Sequence, residues 1–288
     1  MTMRIDYRAM TIDDLDECAR LSHASGWNQT PRDWRMFLDL DPHCGCVALR
    51  DGRIVGTATT VGYRDGDEDR CGWVAMVLVE QSARGCGIGT QVTRAALELL
   101  QRFRAIKLDA TPLGYPIYRK LGFVAEYVLS RMELAAGGAA ANEFVAARPM
   151  TRDDLPAVTA FDRAVFGADR SPVPAWMFAG APESAWLVED DGGVAGYAFG
   201  RRGHRYDHLG PLMARDEATA RRLALTCLSC RSGRAVIIDA PHLHPQWLQW
   251  LVSIGFREQR PLTRMYLGEN SWPGLPEKQF GILGPDFG

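Results

Sequence analysis

The chain repeats itself. Arg8-Ala9-Met10-Thr11-Ile12-Asp13-Asp14-Leu15 returns as Arg148-Pro149-Met150-Thr151-Arg152-Asp153-Asp154-Leu155. At the same offset Asp51-Gly52 meets Asp191-Gly192, and Gly56 meets Gly196. At a slightly smaller offset Leu121-Gly122-Phe123 meets Ile254-Gly255-Phe256, and Arg131-Met132 meets Arg264-Met265. A period this long describes duplicated domains, not a solenoid of short repeats. The 288 residues therefore divide into two copies of one plan, the second shortened somewhere in its middle. We place the first unit at 1–135 and the second at 143–267. The small-residue run at 136–142 reads as a linker. The tail, 268–288, is rich in Gly and Pro, too interrupted for a helix, and expected to be irregular.

Local patterns give the order within a copy. Thr11 with Asp13 and Asp14 is a helix start, and the helix runs through Ala24. Thr30 or Pro31 opens a second helix towards Leu40. Strands at 46–49 and 54–61 flank Asp51-Gly52, a hairpin turn. An apolar strand covers 72–79. A helix from Thr90 to Phe103 buries Val92, Ala95, Ala96, Leu99, Leu100 and Phe103. A strand at 105–110, a short helix at 116–121 ended by Gly122, and a strand at 124–134 complete the copy.

The informative site is the loop after the strand Trp73–Val79: Glu80-Gln81-Ser82-Ala83-Arg84-Gly85-Cys86-Gly87-Ile88-Gly89-Thr90. Strand, glycine loop, helix is anion-binding architecture, because glycines bring backbone N–H groups and a helix dipole close to phosphate. No Gly-Lys-Ser/Thr follows, so it is not a P-loop, and Gly-x-Gly-x-x-Gly is absent. The stretch resembles the acyl-CoA pyrophosphate loop of the GNAT superfamily of N-acetyltransferases. A second stretch agrees: Tyr118-Arg119-Lys120-Leu121-Gly122-Phe123, following Leu108-Asp109-Ala110-Thr111-Pro112, is similar to that family's strand and helix ending in Tyr-x-Lys-x-Gly-Phe. Gly26-Trp27-Asn28-Gln29-Thr30 resembles a subgroup with an additional GNAT-like C-terminal domain.

The resemblance implies a mixed α/β (α+β) fold class: two tandem GNAT folds, each a mixed, mostly antiparallel sheet flanked by helices, the second degenerate. It implies acetyl-CoA as co-substrate, with no metal. Val77, Leu78 and Val79 would offer backbone groups to pantetheine. Arg84, Gly85, Cys86, Gly87, Ile88, Gly89 and Thr90 would hold the pyrophosphate. Tyr118 would protonate the leaving thiolate, a role that suits a neutral phenol of pKa ~10. A backbone N–H of the fourth strand would hold the oxyanion. Trp27, Asn28, Asp109 and Thr111 are substrate candidates. Trp27 and Trp34 equally suit a core, and Asp109 equally suits a cap of the turn before Pro112.

Two departures matter. Ala75 stands where many relatives carry a glutamate base, which leaves water, Glu80, Asp109 or a residue from elsewhere. Pro112 replaces a frequent asparagine. In the second copy the loop position reads Ala214-Arg215-Asp216-Glu217, with carboxylates where phosphate would go, and Leu251 takes the place of Tyr118. That half is expected neither to hold CoA in the usual way nor to catalyse.

Charge narrows the class. Lys+Arg number 33 and Asp+Glu 35, which argues against a broad nucleic-acid footprint and against a tRNA-dependent branch. No apolar run approaches the ~18 residues of a membrane span. The charged start and the odd cysteine count point to reduced thiols in the cytoplasm. Cys227 and Cys230 lie in an apolar helix, without a second pair at zinc spacing, and read as buried inert thiols. The expected activity is acetyl transfer to a primary amine of a small molecule, with oligomerisation left open. The alternatives are a non-catalytic acyl-CoA or metabolite sensor, and a mycothiol-synthase-like tandem enzyme with its working loop in the second half.

Overall fold

The computed structural model describes residues 4–137, 147–230, 233–271 and 273–288. Most of the expected linker, from 138 to 142, lies outside the described residues. The first copy contains β1 (Asp6–Ala9), α1 (Leu15–Ala24), α2 (Pro31–Leu40), β2 (Gly45–Arg50), β3 (Arg53–Asp65), β4 (Glu68–Val79), α3 (Ile88–Leu99), β5 (Ala105–Ala110), α4 (Tyr115–Lys120) and β6 (Val124–Leu134). The second contains β7 (Arg148–Pro149), α5 (Leu155–Phe166), α6 (Pro172–Gly180), β8 (Ala185–Asp190), β9 (Gly193–Arg202), β10 (Asp207–Ala214), α7 (Glu217–Ser229), β11 (Val236–Pro241), α8 (Pro245–Ser253) and β12 (Arg257–Gly268). The tail adds β13 (Gln279–Gly281).

The repeated Arg-x-Met-Thr-x-Asp-Asp-Leu is a structural device. Arg8 donates from both terminal nitrogens to Asp14 at 2.7 Å each, and Asp14 accepts the Thr11 N–H at 2.8 Å. Arg148 and Asp154 repeat the pair at 2.8 and 2.7 Å, with Thr151 N–H at 2.7 Å. Each motif thereby clamps the entry to the first helix of its copy.

One continuous sheet runs β1-β2-β3-β4-β5-β12-β6-β11-β10-β9-β8-β7, with β13 against β10. The last strands are exchanged between the copies. β6 and β12 are equivalent in the repeat, yet β12 lies beside β5 of the first copy and β6 beside β11 of the second. They pair antiparallel with each other in the middle. The repeated Arg-Met dipeptide shows what fixes the exchange. Arg264 of β12 makes a bidentate pair with Asp109 of β5, at 2.8 Å on each side. Arg131 of β6 makes the reciprocal pair with Asp239 of β11, at 2.8 and 2.7 Å. Both pairs are buried, and each copy's last strand holds the other copy's sheet.

The cores follow. One apolar cluster lies under α3 of the first copy and another under α7 of the second. A third is shared, and joins Trp34 and Phe37 of the first copy with Phe166, Tyr197 and Phe199 of the second and Phe287 of the tail. Phe287 stacks on Phe37 with centroids 4.6 Å apart. The irregular tail is thus corrected: Gln279-Phe280-Gly281 forms a strand, and Ile282, Leu283 and Phe287 are fully buried. An apolar run with backbone donors free pairs as a strand once a sheet edge is available. Two helix edges also differ. α3 starts at Ile88 because Gly87, at φ 78, is its cap; it stops at Leu99, which is exposed, while Leu100 and Phe103 are buried from the turn that follows. Cys230 is exposed and Cys227 only partly buried, so the reading of both as buried thiols fails for Cys230, just past the end of α7.

Candidate active site

β4 and β5 pair in parallel only from Cys71 to Trp73 against Ala105 to Lys107. Beyond Trp73 they part. At the same level β4 is bulged against β3, where the register slips between Thr57 and Thr59 and Met76 takes φ 50. Thr57 pins the bulge by donating its hydroxyl to the Met76 carbonyl at 2.8 Å. A residue other than glycine at positive φ inside a strand is uncommon, and bulges of this kind re-aim backbone beside functional sites. The parted strands open a cavity of about 660 Å³, within the size range of small-molecule sites.

One part of the wall is the glycine loop. Gly85 and Gly87 hold φ 79 and 78, where a Cβ would strain the backbone, and no atom lies within 4 Å of a Cβ placed at either. Gly87 caps α3 without a side-chain bond to the first-turn amides, and that turn carries no acidic residue. These free N–H groups and the positive helix end suit an anion. Arg84 is oriented by donating Nε to the Val79 carbonyl at 3.1 Å. Arg84, Gly85, Gly87, Ile88, Gly89 and Thr90 line the cavity, as do Val77, Leu78 and Val79. Cys86 is exposed and outside its wall.

Tyr118, on α4, also lines the cavity. Its ring packs edge-on to Phe123 at 5.9 Å. Burial pushes its phenol above the ordinary value of 10, so it is neutral and carries its proton at physiological pH. Trp27 and Thr111 reach the cavity too. Thr111 accepts the Gly114 N–H through Oγ1 at 3.2 Å and so shapes the turn before α4. Asn28 does not reach it, which corrects the expected substrate contact. Its Oδ1 accepts the N–H groups of Arg205 and Tyr206 at 2.9 Å each, and its Nδ2 donates to the Tyr206 carbonyl at 3.2 Å. It fastens the first copy to the second. The neighbouring Gln29 faces the cavity instead.

The carboxylates sort themselves by partner. Glu80 lies outside the cavity wall, bonded to Arg20 and Ser82 at 3.2 Å each. Asp109 has both oxygens committed to Arg264, and its side chain is 0% exposed. Asp286, from the tail, lines the cavity beside Gln29 and accepts from Arg201 at 3.2 Å through Oδ2; among the described residues its buried Oδ1 meets no hydrogen-bond geometry. Burial raises its pKa, opposed by Arg201. Arg131 and Arg260 line the same region. The patterns of the sequence did not single out Asp286, Arg131 or Arg260 as site residues. The one signal was an acid inside the otherwise apolar run Ile282–Phe287.

In the second copy the equivalent space is closed twice. β10 and β11 pair only at Asp207–His208 against Val236–Ile237 and then part. Into that gap comes β13, paired with β10 at Leu212 and Met213, while the Ile282 N–H donates to the Asp239 carbonyl at 3.0 Å. At the start of α7 Asp216 accepts the Thr219 N–H at 2.8 Å, so the chain's own carboxylate takes the place of an anion. Leu251, in the Tyr118 position, is fully buried. Among the described residues no cluster of three or more His, Cys, Asp or Glu side chains is placed to hold a metal ion, and no helix is long and apolar enough to cross a membrane.

Comparisons with known proteins agree with this division. The Acetyltransferase (GNAT) family matches residues 9–123, and an Acetyltransferase (GNAT) domain family matches 158–281. The holothin acyltransferase of Pseudoalteromonas sp. (strain SANK 73390) is 26% identical over 247 residues, covering 85% of this chain and 82% of that protein. A Pyrococcus horikoshii protein assigned as an acetyltransferase superposes with a TM-score of 0.81 at 24% identity, over 99% of this chain and 96% of the other. A tandem GNAT protein from the clavulanic acid biosynthesis pathway superposes at 0.61 with 15% identity, over 92% and 98%. These two are likenesses of fold.

Proposed function

The chain is a GNAT acetyltransferase with two GNAT domains, and from that premise we propose that it transfers an acetyl group from acetyl-CoA to a primary amine of a small molecule, by direct attack in the cavity of the first copy. The observation that carries this reading is the convergence of the uncapped glycine loop, the bulged edge of β4 and Tyr118 on one cavity. The family uses acyl-CoA, and the acyltransferase relative supports a small-molecule acceptor.

Each residue then has a task. The loop amides from Arg84 to Thr90 take the pyrophosphate. The β5-facing edge of Val77–Val79, unpaired in the sheet, takes the pantetheine as a strand would be taken. Backbone N–H groups at the Met76 bulge stabilise the oxyanion formed when the amine nitrogen attacks the thioester carbon. As the carbon–sulfur bond breaks, Tyr118 delivers its proton to the thiolate. Asp286 takes the proton lost by the amine, by way of water in the cavity. Of the two carboxylates lining the cavity, Asp109 has both oxygens on Arg264 while Asp286 keeps Oδ1 off any arginine, and a raised pKa makes it a better base.

The sensor reading is disfavoured by an acid placed in the cavity, and the reading with a working second loop by the self-filled gap at β13. Isothermal titration with acetyl-CoA tests the proposal first: no binding at millimolar ligand overturns it. Thiol release over a panel of primary amines then separates an enzyme from a sensor.

A further inference from the structure

The two crossings of exchanged strands are related by the repeat, and they differ at one position. At the first crossing Arg264 is bound to Asp109, and Tyr127, its cross-strand neighbour, accepts from Arg264 Nη1 at 2.7 Å. Every terminal nitrogen of that guanidinium has a partner. At the second crossing Arg131 is bound to Asp239, and its cross-strand neighbour is Arg260. An arginine therefore stands where the other crossing has an accepting hydroxyl. Like charges directly opposite one another in a sheet destabilise it. Arg131 spends Nε and Nη2 on Asp239, and among the described residues Arg260 Nε is buried without a bond. Among the described residues Arg260 makes no hydrogen bond and no ion pair within 4.0 Å. The carboxylates around it are bonded to other arginines: Asp239 to Arg131, Asp109 to Arg264, and both Asp33 and Asp286 to Arg201, so Arg260 is balanced in charge by the group while none of them bonds to it. Burial and the nearby Arg131 lower the Arg260 pKa to about 10. Arg131 and Arg260 of this crossing line the active cavity, whereas the first crossing shows it only Asp109, whose oxygens are both held by Arg264.

We propose that Arg131 and Arg260 form a subsite for a carboxylate carried by the amine acceptor. A planar guanidinium pair matches a carboxylate in geometry, and in a partly dry cavity the contact is charge-assisted. With Asp286 in the same region, the cavity reads an amine and a carboxylate on one small molecule, as in an amino acid. This deepens the proposed function and rests on it.

The test pairs each of several amino acids with the amine left by its decarboxylation, such as phenylalanine with phenethylamine and leucine with isoamylamine. Thiol release from acetyl-CoA and thermal stabilisation of the CoA-loaded protein are read for both members. The expected result is a preference for the carboxylate members of about tenfold or more in kcat/KM or in apparent affinity. In Arg260→Gln that preference shrinks about tenfold, through KM, while Arg260→Lys retains part of it. If no carboxylate member exceeds its decarboxylated partner in either readout, the subsite is refuted. If Arg260→Gln instead raises KM for succinyl-CoA and leaves the acceptor preference intact, the carboxylate belongs to the donor and the acceptor assignment is overturned. Wild-type protein that fails to bind acetyl-CoA overturns the proposed function itself, a separate outcome read by calorimetry.

Discussion

Arg264→Met would test the strand exchange most directly. The Arg264 side chain is 3% exposed and that of Asp109 is 0% exposed. Arg264 gives two bonds of 2.8 Å to Asp109 and one of 2.7 Å to Tyr127, and its guanidinium lies 4.7 Å from the Trp73 ring centroid. Methionine fills most of the same volume and supplies no donor. Asp109 is then a buried carboxylate with both oxygens stripped. Breaking a buried pair on one side costs about 3–5 kcal/mol, a large part of the roughly 5–15 kcal/mol that holds a typical protein folded. With a urea m-value of about 3 kcal/mol/M, the midpoint falls by about 1–1.7 M. Equilibrium unfolding at pH 7, followed by tryptophan fluorescence, reads this. Asp109→Leu combined with Arg264→Met removes the stranded charge, and most of the loss should return, since an apolar replacement of a buried pair is often neutral. Arg131→Met should behave alike through Asp239. A loss below about 1 kcal/mol for Arg264→Met, or a double variant no better than the single one, would refute the reasoning. Because β12 sits between β5 and β6, wild-type unfolding should also be one transition; two separated transitions would contradict the interleaving.

Other outcomes follow from the cavity. Tyr118→Phe should lower kcat by about 10²–10⁴ with little change in acetyl-CoA affinity, and full turnover would remove the acid assignment. Asp286→Asn should lower kcat/KM by about 10² or more and abolish the rise of wild-type kcat/KM through the raised Asp286 pKa, so an unchanged acidic limb argues for another base. The sign for stability is opposite: a raised carboxylate pKa stabilises the fold fully below the unfolded value of about 3.9, and that contribution is lost as pH rises through the folded value. Gly87→Glu places a carboxylate side chain at the cap of α3 and should abolish acetyl-CoA binding in a folded protein, whereas unchanged affinity, read by calorimetry, would move the site elsewhere. Phe280→Ala, beneath Trp247 and His244, should cost about 3–5 kcal/mol in denaturant unfolding, and a loss under about 1 kcal/mol would show that β13 does not pack the second gap.

Much of the site was legible because its chemistry is local. Gly85 and Gly87 sit in one loop because the backbone there needs positive φ and open space, and a loop between a strand and a helix is written in adjacent residues. Tyr118 follows Asp109 within one strand-turn-helix unit for the same reason. Asn28 and Asp109 could not be assigned from the sequence because their partners, Tyr206 and Arg264, lie in the other copy. Asp286 was out of reach because it belongs to a tail whose strand exists only when β10 offers an edge.

The sequence alone determined that one plan is written twice, that the first copy keeps an anion-binding loop, and that the second has placed carboxylates over its own. Only the tertiary structure decided which strand lies beside which. The repeated Arg-Met pair is compatible with either pairing in sequence; the exchange is settled by long-range partners, Arg264 with Asp109 and Arg131 with Asp239. That same crossing, and not any local motif, brings Arg260 to the cavity, where among the described residues it makes no hydrogen bond and no ion pair.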